Sequence, residues 1–364
     1  MSKVRILAYY LPQFHPIPEN DEWWGKDFTE WTNVKKAKPL YKGHNQPKVP
    51  TELGYYDLRD PEVREKQAQM ARDAGIEGFC YWHYWFGGKG RQLLNDIIDE
   101  VHKSGKPDLP FCLGWANESW KAKLWQKDGI GDKLLMEQRY EGEEDYRAHF
   151  DYVKELFKDP RYIRIDGKPF FLVYKPNQFE DVPRFISLWN KWVKEEGIAD
   201  SVYFVANLDD QTQRDKWIEA GFDAVTPSFM QRFRKRYMQH KGWLKFVERR
   251  IRALFNLPVR YSSKKINELI LEKDYDSRED VIPFLFPQWD HTPRSGRMGD
   301  LVRDASPKNF QLQAERVLKL AASKKNNLVI LKSWNEWGEG NFMEPDQTFG
   351  RGFIEALRSV VDKL

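Results

Sequence analysis

Eight times along the chain a short apolar run is followed by a segment with apolar residues at helical spacing, and this alternation constrains the fold more than any other feature. The apolar runs cover residues 5–11, 77–85, 111–115, 169–174, 203–207, 224–229, 282–287 and 328–331. The helical segments cover 62–74, 91–103, 143–157, 182–196, 212–220, a basic stretch after 229, 307–322 and 352–361. Pro61 stands where a helix opens, and Gly75, Gly105 and Gly197 stand where helices stop. Eight strand–helix units are the count of a (β/α)8 barrel, and 364 residues suffice for one such domain with extended loops after its strands. The expected architecture is α/β, a single (β/α)8 TIM barrel over 1–364. An open doubly wound sheet needs a glycine-rich phosphate turn after its first strand, and Leu11-Pro12-Gln13-Phe14-His15-Pro16 stands there instead.

In a barrel the loops that follow the strands share one face and build the active site. The strand ends are therefore the candidate site. The first exits through Tyr9, Tyr10, Gln13 and His15, the second through His83, Tyr84 and Trp85, and the third through Trp115, Asn117 and Glu118. Tyr174 and Asn207 follow the fourth and fifth, and Gln288, Trp289 and Asp290 follow the seventh. The eighth leads into Trp334-Asn335-Glu336-Trp337-Gly338-Glu339-Gly340, two carboxylates spaced i, i+3 inside an aromatic, glycine-loosened frame. Planar rings, amides and paired acids suit glycosidic-bond chemistry: one carboxyl protonates a leaving oxygen, a second serves as base or nucleophile, and tryptophan faces receive sugar rings. Glu336 and Glu339 are the candidate catalytic pair. The aromatic content of 15%, with 15 Trp, exceeds what a core of this size uses and fits the same reading.

Three blocks extend this pattern. They are Tyr9 to His15 with Trp23-Trp24-Gly25 and Phe28-Thr29-Glu30-Trp31-Thr32-Asn33-Val34; Phe111-Cys112-Leu113-Gly114-Trp115-Ala116-Asn117-Glu118; and Trp334 to Gly340 with Glu344-Pro345. With Trp289-Asp290-His291-Thr292-Pro293-Arg294 they make the chain, over essentially its whole length, similar to the WbsX-type, glycoside hydrolase family 99-like proteins found among bacterial polysaccharide functions. The resemblance implies a (β/α)8 barrel and a retaining, endo-acting α-glycosidase related to endo-α-mannosidases. It also implies that Glu336 assists the substrate 2-hydroxyl in attacking its own anomeric carbon, giving a 1,2-anhydro sugar, while Glu339 acts as general acid and then general base. Glu344 and Trp31, from the same blocks, join the candidate substrate contacts; the loop carrying Trp31 reads either as a sugar platform or as a lid packed on the barrel mouth.

Two alternatives stay open on the same barrel. A glycosyltransferase or transglycosylase of polysaccharide biosynthesis would open the anhydro sugar with a sugar hydroxyl, and a non-catalytic glycan-binding barrel would keep the site without turnover. The expected partner is a glycan and no nucleic acid, since the formal charge is only +4. That charge is unevenly placed: residues 231–265 hold 12 Lys/Arg against the single acid Glu248. Within this stretch, 243–255 sets apolar residues at helical spacing among arginines, which reads as a solvated outer helix or as a weak peripheral membrane contact. No metal and no cofactor are expected, because the seven histidines show no metal-ligand spacing. Asp274-Tyr275-Asp276 reads as a solvated turn and Asp209-Asp210 as a helix cap. Cys80 and Cys112 read as buried free thiols, and a chain without an apolar leader or spanning segment is expected in the cytoplasm.

Overall fold

The computed structural model describes residues 4–88, 91–121, 133–254 and 257–364. Its principal strands are β1 (Arg5–Tyr10), β2 (Gly78–Trp85), β3 (Phe111–Trp115), β4 (Lys168–Val173), β5 (Tyr203–Leu208), β6 (Ala224–Pro227), β7 (Phe284–Leu285) and β8 (Leu328–Leu331). The helices that follow them are α1 (Pro61–Ala74), α2 (Asp96–Ser104), α3 (Glu143–Phe157), α4 (Val182–Glu195), α5 (Arg214–Glu219), α6 (Phe229–Leu254), α7 (Pro307–Ala322) and α8 (Gly352–Val361). The sheet order is β6-β5-β4-β3-β2-β1-β8-β7, and a parallel bridge sets Val225 beside Val281 just ahead of β7. Eight parallel strands with helices between them thus form a nearly closed (β/α)8 barrel, as the alternation predicts.

The chain divides into two compact units. In the first, Met1–Glu77, Phe229–Glu279 and Pro283–Leu364, β8 pairs in parallel with β1, Arg5 opposite Leu328, and with β7, Phe284 opposite Ile330. Helix α8 packs against both α1 and α7. Asp60 caps α1 by accepting from the Glu62 N–H, Pro61 fills its first turn, and Gly75 closes it in the left-handed region at φ 81°. A Cβ at Gly75 would also meet the Val361 side chain at 3.0 Å, so this stop is fixed by packing as well as by φ.

In the second unit, Gly78–Ser228 and Asp280–Ile282, β2 to β6 are consecutive parallel neighbours. Phe79 lies opposite Phe111, Phe171 opposite Leu113, and Tyr203 opposite Phe170. Its core is a cluster of stacked and edge-on rings around Trp115, His149, Phe171, Phe185 and Trp189. Cys80 and Cys112, cross-strand partners in β2 and β3, are both buried and not disulfide-bonded.

Three segments depart from the sequence reading by more than a residue or two at an end or in their surroundings. The helix expected over 91–103 starts at Asp96, because Gln92–Leu93 first pairs antiparallel with the end of β2. The strand expected over 282–287 keeps only Phe284–Leu285 in the ladder, since Pro283 and Pro287 flank them without N–H donors. The turn at Asp274-Tyr275-Asp276 is one turn of helix, and Asp276 is not solvated: it is fully buried, in a bidentate pair with Arg232 at 2.9 and 2.7 Å.

Candidate active site

β8 is apolar and buried throughout, and the chain changes character where the ladder ends. Asn335–Glu336 pairs antiparallel with Asn341–Phe342 around a short 3-10 turn, Trp337–Glu339. Gly340 closes the turn at φ 54°, where a Cβ would lie 2.7 Å from the Asp290 Cβ, so only glycine fits. Asn335 anchors the hairpin: its Oδ1 accepts from the Leu11 N–H at 2.8 Å and its Nδ2 donates to the Leu11 carbonyl at 3.0 Å. The hairpin places Glu336 and Glu339 on one small, largely buried surface.

Two cations meet this pair. Lys332 Nζ lies 3.4 Å from Glu339 Oε2 and 4.0 Å from Glu336 Oε2. Arg294 donates from Nη1 to Glu339 at 2.7 Å and from Nε to Glu30 at 2.9 Å, and His291 Nε2 stands 3.7 Å from Glu339. The charges therefore divide unequally. Burial raises the Glu336 carboxyl, the neighbouring Glu339 raises it further, and it is pushed up to about 8. Burial acts on Glu339 in the same sense, but Lys332, Arg294 and a hydrogen bond from Glu336 together outweigh it and hold Glu339 well below the usual carboxylate range. Burial thus favours the protonated form of Glu336, while the two cations favour the ionised form of Glu339.

A third acid supports the frame. Glu344, buried, accepts from Trp337 Nε1 at 2.6 Å, from Tyr56 Oη at 2.9 Å and from Gln67 Nε2 at 2.6 Å, and Tyr10 Oη donates to Gln67 at 2.7 Å. Burial pushes its carboxyl up to about 7 despite those donors. Glu344 and Tyr10, expected at the substrate, are thus bonded beneath the turn, which they hold through Trp337. Trp31 is likewise packed, with its Nε1 on the Tyr56 carbonyl and its ring against Phe14 and Trp337, so the lid reading fits it better than the platform reading. Tyr9, His15 and Trp334 are buried, and Gln13 accepts on its carbonyl from the Glu30 N–H.

Asp290 is fully engaged within the protein. Its carboxylate accepts from His44, from Gln46 Nε2 and from both the N–H and hydroxyl of Thr292, while its own N–H donates to the Glu339 carbonyl. It therefore positions the Glu339 turn and the segment that carries Arg294. Trp289 donates to Asp300 and offers its ring face to Lys332 at 5.1 Å, and Gln288 donates to the Phe342 carbonyl.

The remaining candidates belong to the second unit. Side chains alternate along a barrel strand, so consecutive residues cannot share a face. His83 and Trp85 turn toward α3: His83 is hydrogen-bonded to His149 at 2.8 Å and stacked on Tyr152, and Trp85 stacks on His149 and donates to Asp145. Burial lowers His83 to about 3, a neutral core histidine rather than the expected substrate contact. Trp115 is buried with its Nε1 on the Trp85 carbonyl. Asn117 ties two loops together by donating to the Lys175 carbonyl and accepting from its N–H, and Asn207 donates to the Tyr174 carbonyl. Tyr84 meets Trp120 edge-on, and Tyr174 meets Trp82. Glu118 is half-buried. Among the described residues no group of three or more His, Cys, Asp or Glu is placed to hold a metal ion.

A model of the family described as "Glycosyltransferase WbsX" matches residues 6–357. The chain belongs to the WbsX family. The protein WxcX of Xanthomonas campestris pv. campestris, described as uncharacterized, is 34% identical over 371 residues, covering 98% of this chain and 50% of that protein. This chain therefore spans about half the length of the curated relatives that it matches. Among solved structures, a "glycoside hydrolase-like protein" superposes with a TM-score of 0.62 at 14% identity, covering 99% of this chain and 94% of that one. A glycoside hydrolase family 99 endo-α-mannosidase from Bacteroides thetaiotaomicron gives 0.56 at 16% identity, covering 99% and 96%. At these identities the structural likeness concerns the fold.

Four residues of this WbsX-family site were not singled out from sequence as site residues: Glu30, Arg294, Lys332 and His291. Each lies inside or beside a quoted motif, and the missed signal was that a buried acid pair needs cations nearby. Gly338 records how tightly they are assembled, because a Cβ there would fall 1.6 Å from Glu30 Oε1. Gly338→Ala is expected to displace Glu30, release one anchor of Arg294 and lower kcat/KM by about 10- to 100-fold while the far-ultraviolet dichroism is unchanged. Steady-state kinetics beside a thermal melt check this.

Proposed function

We propose that the chain is a glycan-active enzyme that works with retention on an α-linked bacterial polysaccharide or oligosaccharide, in the manner of an endo-α-mannosidase, through a 1,2-anhydro sugar. One observation carries this reading: two buried carboxyls, Glu336 and Glu339, stand together after β8 with Lys332 reaching both and Arg294 bonded to Glu339, surroundings that favour a proton on Glu336 and a charge on Glu339. The substrate 2-hydroxyl gives its proton to Glu336, whose own proton passes across the hydrogen bond to Glu339 and from there to the leaving oxygen. The 2-oxygen bonds to the anomeric carbon as the glycosidic C–O bond breaks, and the dyad ends as it began. A carboxylate kept at low pKa by two cations is a strong acid once it is handed a proton, which suits Glu339 to that role. In the second step an incoming hydroxyl attacks the anomeric carbon and the protons return by the same route, so configuration is retained overall.

The family's description favours a second reading of the second step, in which a sugar hydroxyl takes the place of water and the reaction is glycosyl transfer. The two share every residue named above. Proton NMR of the first-formed anomer, with a panel of α-linked oligosaccharides and an added acceptor sugar, tests both: a retained reducing end supports hydrolysis, and an elongated acceptor supports transfer. An inverted product sinks the anhydro mechanism in either form.

A further inference from the structure

Helix α6 carries a feature that the site does not use. Trp243 is 73% exposed, Val247 39%, Ile251 49% and Leu254 83%, four of the nine large apolar side chains exposed among the described residues. Their spacing of four, four and three residues sets them on one helical face, within an arc of about 80°. The charge of the helix changes along its length. Near its start, Arg232 and Arg234 pair with Asp276 and Asp300, and Arg236 donates to the Leu269 carbonyl. From 241 onward the sequence adds Lys241, Lys245, Arg249, Arg250 and Arg252 against the single acid Glu248.

We propose that this end of α6 is a docking surface for an anionic bilayer, with Trp243, Val247, Ile251 and Leu254 entering the headgroup region and the net positive charge of the stretch drawing it to lipid phosphates. An exposed tryptophan and branched aliphatics beside a strongly cationic sequence are the composition of an interfacial helix. No helix among the described residues is long and apolar enough to cross a membrane, so the contact is peripheral. Two other occupants fit less well. A second copy of the chain would set this cationic end against itself, which like charges oppose. A nucleic acid would satisfy the cations yet leave the apolar stripe facing phosphate and water. The last residue of the 243–255 segment read from sequence, Phe255, lies outside the described residues.

The test is flotation of the full chain with phosphatidylcholine vesicles, with and without phosphatidylglycerol, at low and high salt. The protein should float with anionic vesicles only, be released by salt, and bind about tenfold or more weakly as the double variant Trp243→Ser/Leu254→Ser. Thermal melts show that the variant is folded, and quenching by brominated lipid should be smaller in Trp243→Phe than in the parent. Failure to float, or flotation undiminished in the folded double variant, overturns the proposal. Self-association abolished by the same substitutions, without vesicle binding, overturns it in favour of a second copy.

Discussion

Replacing either acid of the dyad by glutamine is expected to lower turnover of a natural glycan by about 10³-fold or more, with glycan binding retained. The double variant should be little worse than either single one, because the pair works as a unit. An aryl glycoside with a good leaving group separates the roles. Such a substrate needs no protonation of the leaving oxygen, so Glu339→Gln should recover much of its lost rate on it. Glu336→Gln should not recover, since the 2-hydroxyl must still lose its proton. The opposite outcome would make Glu336 the direct proton donor and remove the relay. Isothermal titration with an unreactive oligosaccharide measures the retained binding. Binding unchanged in both variants, with no turnover in the parent on any glycan, would leave a carbohydrate-binding barrel in place of an enzyme.

The second large effect is in the pH profile. Turnover requires the singly protonated pair, so kcat/KM should fall as pH rises through about 8, where Glu336 loses its proton. The acid limb should lie far below neutrality, because Lys332 and Arg294 keep Glu339 ionised. Lys332 favours the charged form of both carboxylates, so Lys332→Met raises both and moves the alkaline limb upward. The same change leaves Glu339 with Arg294 as its close cationic partner and weakens it as an acid, so the neutral-pH rate should drop by about tenfold or more. A profile whose alkaline limb stays in place in Lys332→Met would show that Glu336 is not the group that titrates there. Arg294 is less suitable for this measurement, because it also holds Glu30 and its loss would disturb the turn.

The barrel was legible because its signals are local. A run such as Leu328–Leu331 next to a helix such as α8 needs only periodicity to be read, and Pro61 and Gly75 mark their boundaries through backbone chemistry alone. Errors arose where a second strand or a proline entered, as at Gln92–Leu93 and beside Phe284. The site was legible in its acids, which stand together in sequence. Less legible was which side of a strand each candidate contact takes: His83 and Trp85 turn together toward α3, because a strand sends successive side chains to opposite sides and a list of strand ends does not show which side is which.

The sequence by itself determined a barrel of eight strand–helix units and the position of Glu336 and Glu339 at the end of the eighth strand, since both follow from residues within a few positions of one another. Only the tertiary structure decided how the surroundings of those two acids differ. That depends on Lys332, Arg294 and Glu30, brought together from the eighth strand's end, the segment after the seventh and the loop after the first. Coulomb energy follows distance in space, and in a buried site it is large enough to choose which carboxyl stays charged.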